Sequence, residues 1–344
     1  MRCVTIEDKR KFKLDEINEP VSVNGSVIID VLKCGICGSD IHYWESGELK
    51  GLVLGHEYCG VVTDPGSRED LKIGDRVTAL PISPCGKCSA CLTGNHQYCR
   101  ETWKYATGLS LTNPGALAPK MAIRPDMVIK VPDGISDEEV AMVEPTAVGL
   151  HAVHLADIKV GQKVLVIGSG IIGLVSAMFA KMEGASFVAV SETNESRAKR
   201  AIELGVADKY YNALDSEMIN HVAADTNGGF DVVIECCGND KAVTSSILTT
   251  KPGGTVVLVG VSQVPIAIPM VMAVMSELTM KGAIAYTKEE FETCIDLIDS
   301  KKIDVTKFIS EIVGLEQVQE SYEKLTSGTS DAIKILVDPN EDNM

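Results

Sequence analysis

Residues 164–173 read VLVIGSGIIG, an apolar run that ends in the spacing Gly168-x-Gly170-x-x-Gly173. An apolar strand followed by this spacing and a helical pattern is typical of a loop that holds a dinucleotide. The first glycine permits a tight turn, the second lets the backbone approach a pyrophosphate, and the third lets helix and strand pack closely. We take Gly168, Gly170, Ile172 and Gly173 as candidate cofactor-binding residues, the alternative being a plain strand-to-helix turn.

Short apolar strands alternate with helical stretches around this loop. Strand patterns occur at 164–168, 187–191, 231–235 and 255–259, and helical patterns at 171–183 and 194–204. Strands separated by helices are typical of a parallel sheet with right-handed crossovers. Residues 151–284 are therefore predicted to form a doubly wound α/β domain.

Residues 1–150 follow a different pattern. Alternating runs such as 27–32 and 60–63 are separated by turn signals such as Asn24-Gly25, which indicates a β-rich domain. A strand-like run at 332–337 is expected to pack back on this domain, so that residues 285–344 complete it.

A carboxylate follows the strand after the glycine loop, because Glu192 stands 19 residues beyond Gly173. There it can accept hydrogen bonds from the hydroxyls of an adenosine ribose, and it would repel a 2′-phosphate. This favours NAD over NADP, unless Glu192 is a solvated loop acid. Arg197 complicates the choice between NAD and NADP, because an arginine near this position can bind a 2′-phosphate. It falls inside the following helix, however, and could instead cover the adenine.

The composition excludes several classes of partner. The 344 residues carry a formal net charge of −16, which argues against binding to nucleic acid or to an anionic membrane. Residues 1–10 lack the apolar core of a signal peptide, and the longest apolar runs are too short or too broken by proline to span a bilayer. Eleven cysteines, several at metal-ligand spacing, indicate reduced thiols and a cytoplasmic protein.

Four of these cysteines lie close together in the sequence. Their spacing is C-x2-C-x2-C-x7-C, and four such thiolates can close a tetrahedral shell around Zn²⁺ with no position left for substrate. We expect this lobe to hold a structural zinc rather than free thiols, and we read His96 within it as a solvated loop residue. The candidate ligands are Cys85, Cys88, Cys91 and Cys99.

A second candidate metal site combines Cys37 with the downstream Gly55-His56-Glu57. A thiolate, an imidazole and a carboxylate form a mixed ligand set typical of a zinc that keeps an open position for chemistry. Neighbours in a regular strand point to opposite faces, so His56 and Glu57 reach one metal only if Gly55 breaks the geometry. Glu144 is the other candidate carboxylate, and the residues do not decide which one is the direct ligand.

One thiolate and one carboxylate would formally neutralise Zn²⁺. A bound alcohol could then lose its proton and form a zinc alkoxide at accessible pH, because the metal stabilises the anion. A metal combined with a dinucleotide indicates hydride transfer.

Together these segments resemble the zinc-containing medium-chain alcohol dehydrogenase family, on its polyol (sorbitol and threonine dehydrogenase-like) branch. The resemblance implies a GroES-like catalytic domain, a Rossmann domain, one catalytic zinc, one structural zinc, NAD and a homo-oligomer, usually a dimer or tetramer. It covers nearly the whole chain, and its carriers are residues 37–44, 55–57, the four-cysteine lobe, Glu144-Pro145 and 168–173.

The resemblance also implies roles for single residues. Ser39 would receive the alcohol proton, and His42 would pass it to solvent through the nicotinamide ribose. The alternatives are a turn cap for Ser39 and a surface position for His42. The implied ligands of the catalytic zinc are Cys37, His56, Glu57 and Glu144. In the family, one of the two carboxylates sometimes acts on the zinc through a water molecule.

The chain departs from the family pattern where substrate is expected. Ala285 stands where polyol dehydrogenases commonly carry an arginine that holds substrate hydroxyls, and residues 109–119 replace the usual glycine-aromatic sequence. An apolar lining would favour a larger or less hydroxylated secondary alcohol, because each buried hydroxyl needs a partner. The substrate class is therefore a polyol, a diol or a larger apolar secondary alcohol.

Two alternative functions remain open at this point. One is a zinc-free reductase of the same superfamily, and the other is a noncatalytic NAD-binding sensor that keeps the fold. We read the pair His151 and His154 as packing or interface residues.

Overall fold

The structure, a computed structural model, describes residues 1–341. Its strands are β1 (Arg2–Asp8), β2 (Lys11–Glu16), β3 (Val27–Gly35), β4 (Glu57–Asp64), β5 (Arg76–Ala79), β6 (Lys120–Ile123), β7 (Val128–Lys130), β8 (Lys163–Ile167), β9 (Phe187–Glu192), β10 (Lys209–Asn212), β11 (Phe230–Glu235), β12 (Thr250–Leu258), β13 (Thr279–Gly282), β14 (Ile309–Val313) and β15 (Lys334–Val337). Its α-helices are α1 (Gly38–Ser46), α2 (Ser89–Leu92), α3 (Asp137–Ala141), α4 (Val143–Ala156), α5 (Ile171–Met182), α6 (Glu195–Glu203), α7 (Met218–Thr226), α8 (Asp240–Thr249), α9 (Met270–Met275), α10 (Lys288–Asp299) and α11 (Val318–Thr326). Short 3₁₀ turns lie at His96–Tyr98, Pro125–Met127, Thr306–Phe308 and Leu315–Gln317.

Within the described residues, the first structural unit comprises 1–145 and 287–341. Its main sheet has the order β14-β15-β3-β4-β5-β7, with β6 also paired to β3. Strand β3 is the central element: it runs antiparallel to β4, β6 and β15, and its apolar residues Val27, Ile29 and Val31 are fully buried. Because β15 pairs with the end of β3, the last strand of the chain lies beside Gly35.

The second unit, Thr146–Tyr286, contains a six-stranded sheet in the order β10-β9-β8-β11-β12-β13. Every pair in it is parallel, and the helices between the strands form the crossovers. The strand order reverses between β8 and β11, and a crevice at the carboxyl ends of two such strands is where doubly wound sheets bind ligands. The predicted fold class, a β-rich domain with a doubly wound parallel sheet, is confirmed.

The core of the second unit is formed by apolar side chains of its central strand and of the helix after the glycine loop. Strand β8 contributes Val164, Leu165 and Val166, all fully buried, because a central parallel strand is covered on both faces. Helix α5 begins directly after the glycine loop and buries most of its length, including Leu174 and Val175. No helix among residues 1–341 is both long and apolar enough to cross a membrane.

Candidate active site

Cys37, His56 and Glu57 meet at one point in the first unit. Each offers one ligand atom, and these atoms lie within 4.8 Å of one another. Cys37 occupies the N-cap position of α1, His56 lies directly before β4, and Glu57 is the first residue of that strand. Gly55 precedes them with a φ of +103°, so the chain leaves regular strand geometry where the mixed site requires it.

Glu144 does not belong to this three-residue group among the described residues. It is buried in the first turn of α4. Of the two carboxylates between which the sequence left the choice open, the structure groups Glu57 with Cys37 and His56.

A carboxylate that sequence reasoning missed lies behind His56. Asp40 Oδ1 is 3.2 Å from His56 Nδ1, and both side chains are buried. Burial disfavours the charged imidazole, but Asp40 and Cys37 outweigh this effect and raise the pKa of His56 well above its usual value. Asp40 Oδ1 and His56 Nδ1 lie close together without hydrogen-bond geometry, so Asp40 acts on the imidazole through its charge, and the other ring nitrogen is left for a metal. Asp40 belongs to the quoted segment 37–44, but its spacing alone did not assign it a role.

Lys334 is the second residue that sequence reasoning missed. Its ammonium bonds Glu57 Oε2, and it also donates to the carbonyl oxygen of Ile36 at 2.8 Å. Both side chains of the ion pair are buried, at 0% and 1% exposure. Burial alone would lower the pKa of Lys334, but the neighbouring carboxylate of Glu57 raises it, which favours the ammonium form of this lysine. The other oxygen of the carboxylate, Glu57 Oε1, is buried and has no hydrogen-bond partner among residues 1–341.

Ser39 and His42 lie three residues apart on α1, and both are half-buried. The Ser39 hydroxyl donates to Cys37 Sγ at 3.2 Å, which places it directly beside the candidate metal ligand. Residues three apart on a helix share one face, so His42 lies on the same side of α1 as Ser39.

The four cysteines of the lobe also come together, with their sulfur atoms within 4.8 Å of one another. The N–H of Cys85 donates to Cys99 Sγ at 3.3 Å, and this bond is the largest cause that lowers the pKa of Cys99 to about 6. Burial raises the pKa of Cys91 to about 11. Four clustered sulfurs with backbone donors around them fit a structural zinc, which binds thiolates and would stabilise the buried one as well. His96 is not part of this group.

The glycine loop fits a pyrophosphate. Gly168 has a φ of +99°, and a Cβ on Gly173 would lie only 1.8 Å from the Gly168 carbonyl oxygen. A Cβ on Gly170 would meet nothing within 4 Å, so open space lies above the N-terminus of α5. Ile172 follows, half-buried, in the first turn of that helix.

Glu192 ends β9 and reaches back to this loop. Its Oε2 accepts the Ser169 N–H at 2.8 Å, while Oε1 accepts the N–H groups of Thr193 and Asn194 at 2.7 and 3.0 Å. Arg197 lies inside α6, as its sequence position indicated. The carboxylate therefore stands beside the loop at the place where a ribose is expected, and it already helps to hold the loop.

The remaining histidines of the sequence prediction lie on α4. His151 is buried and His154 is exposed. Neither belongs to a metal-binding group among the described residues.

Comparisons with known proteins agree with both halves of the structure. The alcohol dehydrogenase GroES-like domain matches residues 23–133, and the zinc-binding dehydrogenase domain matches residues 172–300. A protein of Aspergillus clavatus named "Probable D-xylulose reductase A" is 32% identical over 97% of this chain and 93% of its own length. Sorbitol dehydrogenase of Bacillus subtilis is 29% identical over 99% of this chain and 98% of its own length. The crystal structure of 2R,3R-butanediol dehydrogenase from Bacillus subtilis superposes with a TM-score of 0.86, at 28% identity and covering 98% and 99% of the two chains.

The chain belongs to the zinc-containing medium-chain alcohol dehydrogenase family, and the predicted resemblance is confirmed. Within that family its relatives place it on the polyol branch. It is a zinc-dependent enzyme that moves a hydride between an alcohol and NAD.

The loop geometry makes a prediction for two neighbouring glycines. Gly173→Ala should lower the free energy of unfolding by about 1–3 kcal/mol, because the new methyl group collides with a backbone carbonyl. Gly170→Ala should leave stability unchanged and weaken NAD binding, because its methyl group enters open space needed by the pyrophosphate. Thermal unfolding and NADH fluorescence titration measure the two effects. Equal behaviour of the two variants in both measurements would contradict this account of the loop.

Proposed function

We propose that the chain oxidises a secondary alcohol at a zinc held by Cys37, His56 and Glu57, with NAD as hydride acceptor. The observation that carries this proposal is the convergence of these three ligand atoms within 4.8 Å, with Glu57 Oε1 buried and unpartnered. A buried carboxylate oxygen without a partner is costly, and a metal ion would satisfy it. When bound, zinc acts as a Lewis acid that stabilises negative charge on the substrate oxygen, and NAD takes the hydride.

The ligand chemistry suits zinc. A thiolate, an imidazole with Asp40 beside it and one carboxylate make the three-protein-ligand set that leaves an open fourth position. Glu144, the remaining carboxylate, is proposed to contact the open position through water rather than bind the metal directly. Its exclusion from the three-residue group supports this division.

The proton of the alcohol is proposed to leave through Ser39 and then His42. The Ser39 hydroxyl stands 3.2 Å from Cys37 Sγ, so it lies beside the position where a substrate oxygen would be held. A hydroxyl accepts and passes on a proton without changing its net charge, and a histidine exchanges protons with water near neutral pH. In this role Ser39 and His42 are catalytic residues, together with Glu57 and Glu144 at the metal.

The four-cysteine lobe is proposed to hold a second, structural zinc. With four thiolates and no open position, it contributes no group to the reaction. Its effect is to fix the segment from Cys85 to Cys99, which has only one short helix and one 3₁₀ turn of its own.

The cofactor is proposed to lie across Gly168, Gly170, Ile172 and Gly173, with Glu192 at its adenosine ribose. The carboxylate retains acceptor capacity on Oε2 after binding Ser169, and it would repel a 2′-phosphate. Arg197 is proposed to cover the adenine from α6.

The substrate is proposed to be a polyol, a diol or a larger apolar secondary alcohol. The named relatives act on sorbitol, xylulose and butanediol, which favours a vicinal diol unit. Ala285 argues for fewer hydroxyls, since it stands where an arginine is common on the polyol branch. It also has a φ of +50°, an uncommon conformation for a residue with a side chain.

Two other functions are less well supported. A zinc-free reductase would have no use for the convergent ligands Cys37, His56 and Glu57. A noncatalytic NAD sensor would have no use for a hydroxyl placed beside Cys37.

A homo-oligomer in the cytoplasm is proposed from two features. Helix α9 exposes four large apolar side chains at more than half of their surface, Met270, Val271, Val274 and Met275, which is an apolar patch of the kind found at protein interfaces. None of the eleven cysteines is paired in a disulfide, as expected for a reducing compartment.

The proposed reaction predicts chelator-sensitive NAD reduction. A panel from pentitols and hexitols to butanediols and bulky apolar secondary alcohols, followed by NADH absorbance, should give a best substrate whose turnover stops when the metal is removed. Turnover that survives complete removal of both zincs would contradict a zinc mechanism. Preference for hexitols over butanediols would show that Ala285 does not restrict hydroxylated substrates.

Replacing the thiolate ligand separates chemistry from cofactor binding. Cys37→Ala should reduce turnover to background while the affinity for NADH stays within about twofold, because the nucleotide loop lies in the other unit. Cys34→Ala is the matched control: Cys34 is a buried thiol three residues earlier and outside the metal group. Normal turnover by Cys37→Ala would exclude this residue as a ligand.

Cofactor choice is predicted to depend on Glu192. Glu192→Ala should weaken NAD binding about tenfold, since charged hydrogen bonds contribute about 1.5 kcal/mol or more, and it should strengthen NADP binding. Glu195→Ala, an exposed acid in the first turn of α6, is the control. An unchanged ratio of the two dissociation constants would remove Glu192 from the cofactor site.

A further inference from the structure

The ion pair between Lys334 and Glu57 joins distant parts of the chain at the proposed zinc site. Lys334 begins β15, and Glu57 begins β4, so both flank the end of β3. The Lys334 ammonium is held on two sides, by Glu57 Oε2 and by the carbonyl oxygen of Ile36. The backbone holds the same segments together, because the Ile36 N–H donates to the Ile335 carbonyl oxygen at 3.0 Å.

The space for this pair exists because residue 35 is glycine. A Cβ on Gly35 would lie 2.1 Å from Glu57 Oε2 and 2.9 Å from Lys334 Cε. The φ of Gly35 is not in the left-handed region, so the backbone conformation does not require glycine there. The requirement is steric, and it concerns the carboxylate and the ammonium themselves.

The two oxygens of Glu57 therefore have different surroundings. Oε2 is bound by Lys334, while Oε1 is buried, unpartnered and part of the side chain that meets Cys37 and His56. A carboxylate held by an ammonium through one oxygen presents its other oxygen to a metal in a fixed direction. A carboxylate without that restraint can rotate or bind through both oxygens.

We infer that Lys334 is a positioning residue that fixes Glu57 through Oε2 so that Oε1 is presented to the catalytic zinc as a single, oriented ligand. This inference rests on the proposed zinc site and adds to it the residue that determines how Glu57 binds. Partners that orient metal ligands in this way commonly contribute 10- to 100-fold in metal affinity.

The test measures zinc retention and ligand geometry rather than activity. Wild type and Lys334→Met are dialysed against graded chelator, and zinc per chain is counted. Lys334→Met should lose the zinc of the Cys37 site at about tenfold or more lower chelator strength, while the zinc of the four-cysteine lobe stays and acts as an internal reference. Cobalt substituted at the Cys37 site should show altered d–d bands in the variant, since the Glu57 oxygens are free to rearrange.

Lys33→Met is the matched control. Lys33 lies on β3 and pairs with Asp338, directly after β15, at 2.8 Å, so it bridges the same two strands without touching the metal group. Its zinc retention and cobalt spectrum should equal those of wild type. If Lys33→Met reproduces the losses, or if Lys334→Met retains zinc within about twofold with an unchanged cobalt spectrum, the inference is wrong.

A double-substitution cycle keeps the test valid if Lys334→Met folds poorly. In the Glu57→Gln background the buried carboxylate charge is gone, and adding Lys334→Met should cause no further loss of zinc, because Lys334 acts through Glu57. A further tenfold loss in that background would overturn the inference. Gly35→Ala should lower zinc retention with both charges present, because its methyl group displaces the carboxylate. Wild type that binds no zinc at the Cys37 site would instead refute the proposed function.

Discussion

The buried ion pair between Glu57 and Lys334 is the interaction on which the candidate metal site depends. A carboxylate and an ammonium that have both lost contact with water are stable only when each is paired and its remaining polar atoms are satisfied. Lys334 meets this requirement through Glu57 and the Ile36 carbonyl, but Glu57 Oε1 is left over. Under the proposed function, a divalent cation shared with Cys37 and His56 would satisfy this oxygen. A bound metal would thus offset the cost of burying these groups. On the other side of the site, the buried carboxylate of Asp40 lies 3.2 Å from His56 Nδ1.

The topology of the first unit follows from the same requirement. The site needs the end of β3, the start of β4 and the start of β15, three segments far apart in the sequence, at one place. Antiparallel pairing of β3 with both β4 and β15 achieves this, and it explains why the C-terminal segment returns to the N-terminal unit. Glycines at 35 and 55 provide the space and the turn. The second unit is built independently around the glycine loop, where Gly173 allows α5 to begin against the carbonyl of Gly168.

The parts of this picture that could be predicted from the sequence are those encoded by local spacing. The glycine loop, the four-cysteine lobe and the Gly55-His56-Glu57 segment each lie within a few residues, so their geometry is constrained before the chain folds. The fold class followed from strand and helix periodicity. Asp40 and Lys334 could not be found in this way: Asp40 looks like an ordinary first-turn acid of a helix, and Lys334 is a lone lysine 277 residues from its partner. The choice between Glu57 and Glu144 was equally hidden, because it depends on how α4 and β4 are placed in space.

The measurement that tests the central claim most directly is a crystal structure of the zinc-loaded protein with anomalous diffraction recorded at the zinc absorption edge. The account predicts two anomalous peaks in each chain. One should lie among Cys85, Cys88, Cys91 and Cys99, and the other should be bound by Cys37 Sγ, His56 and Glu57 Oε1, with Lys334 still bonded to Oε2. A second peak elsewhere, or a Glu57 that has left Lys334 to bind the metal through both oxygens, would contradict the account.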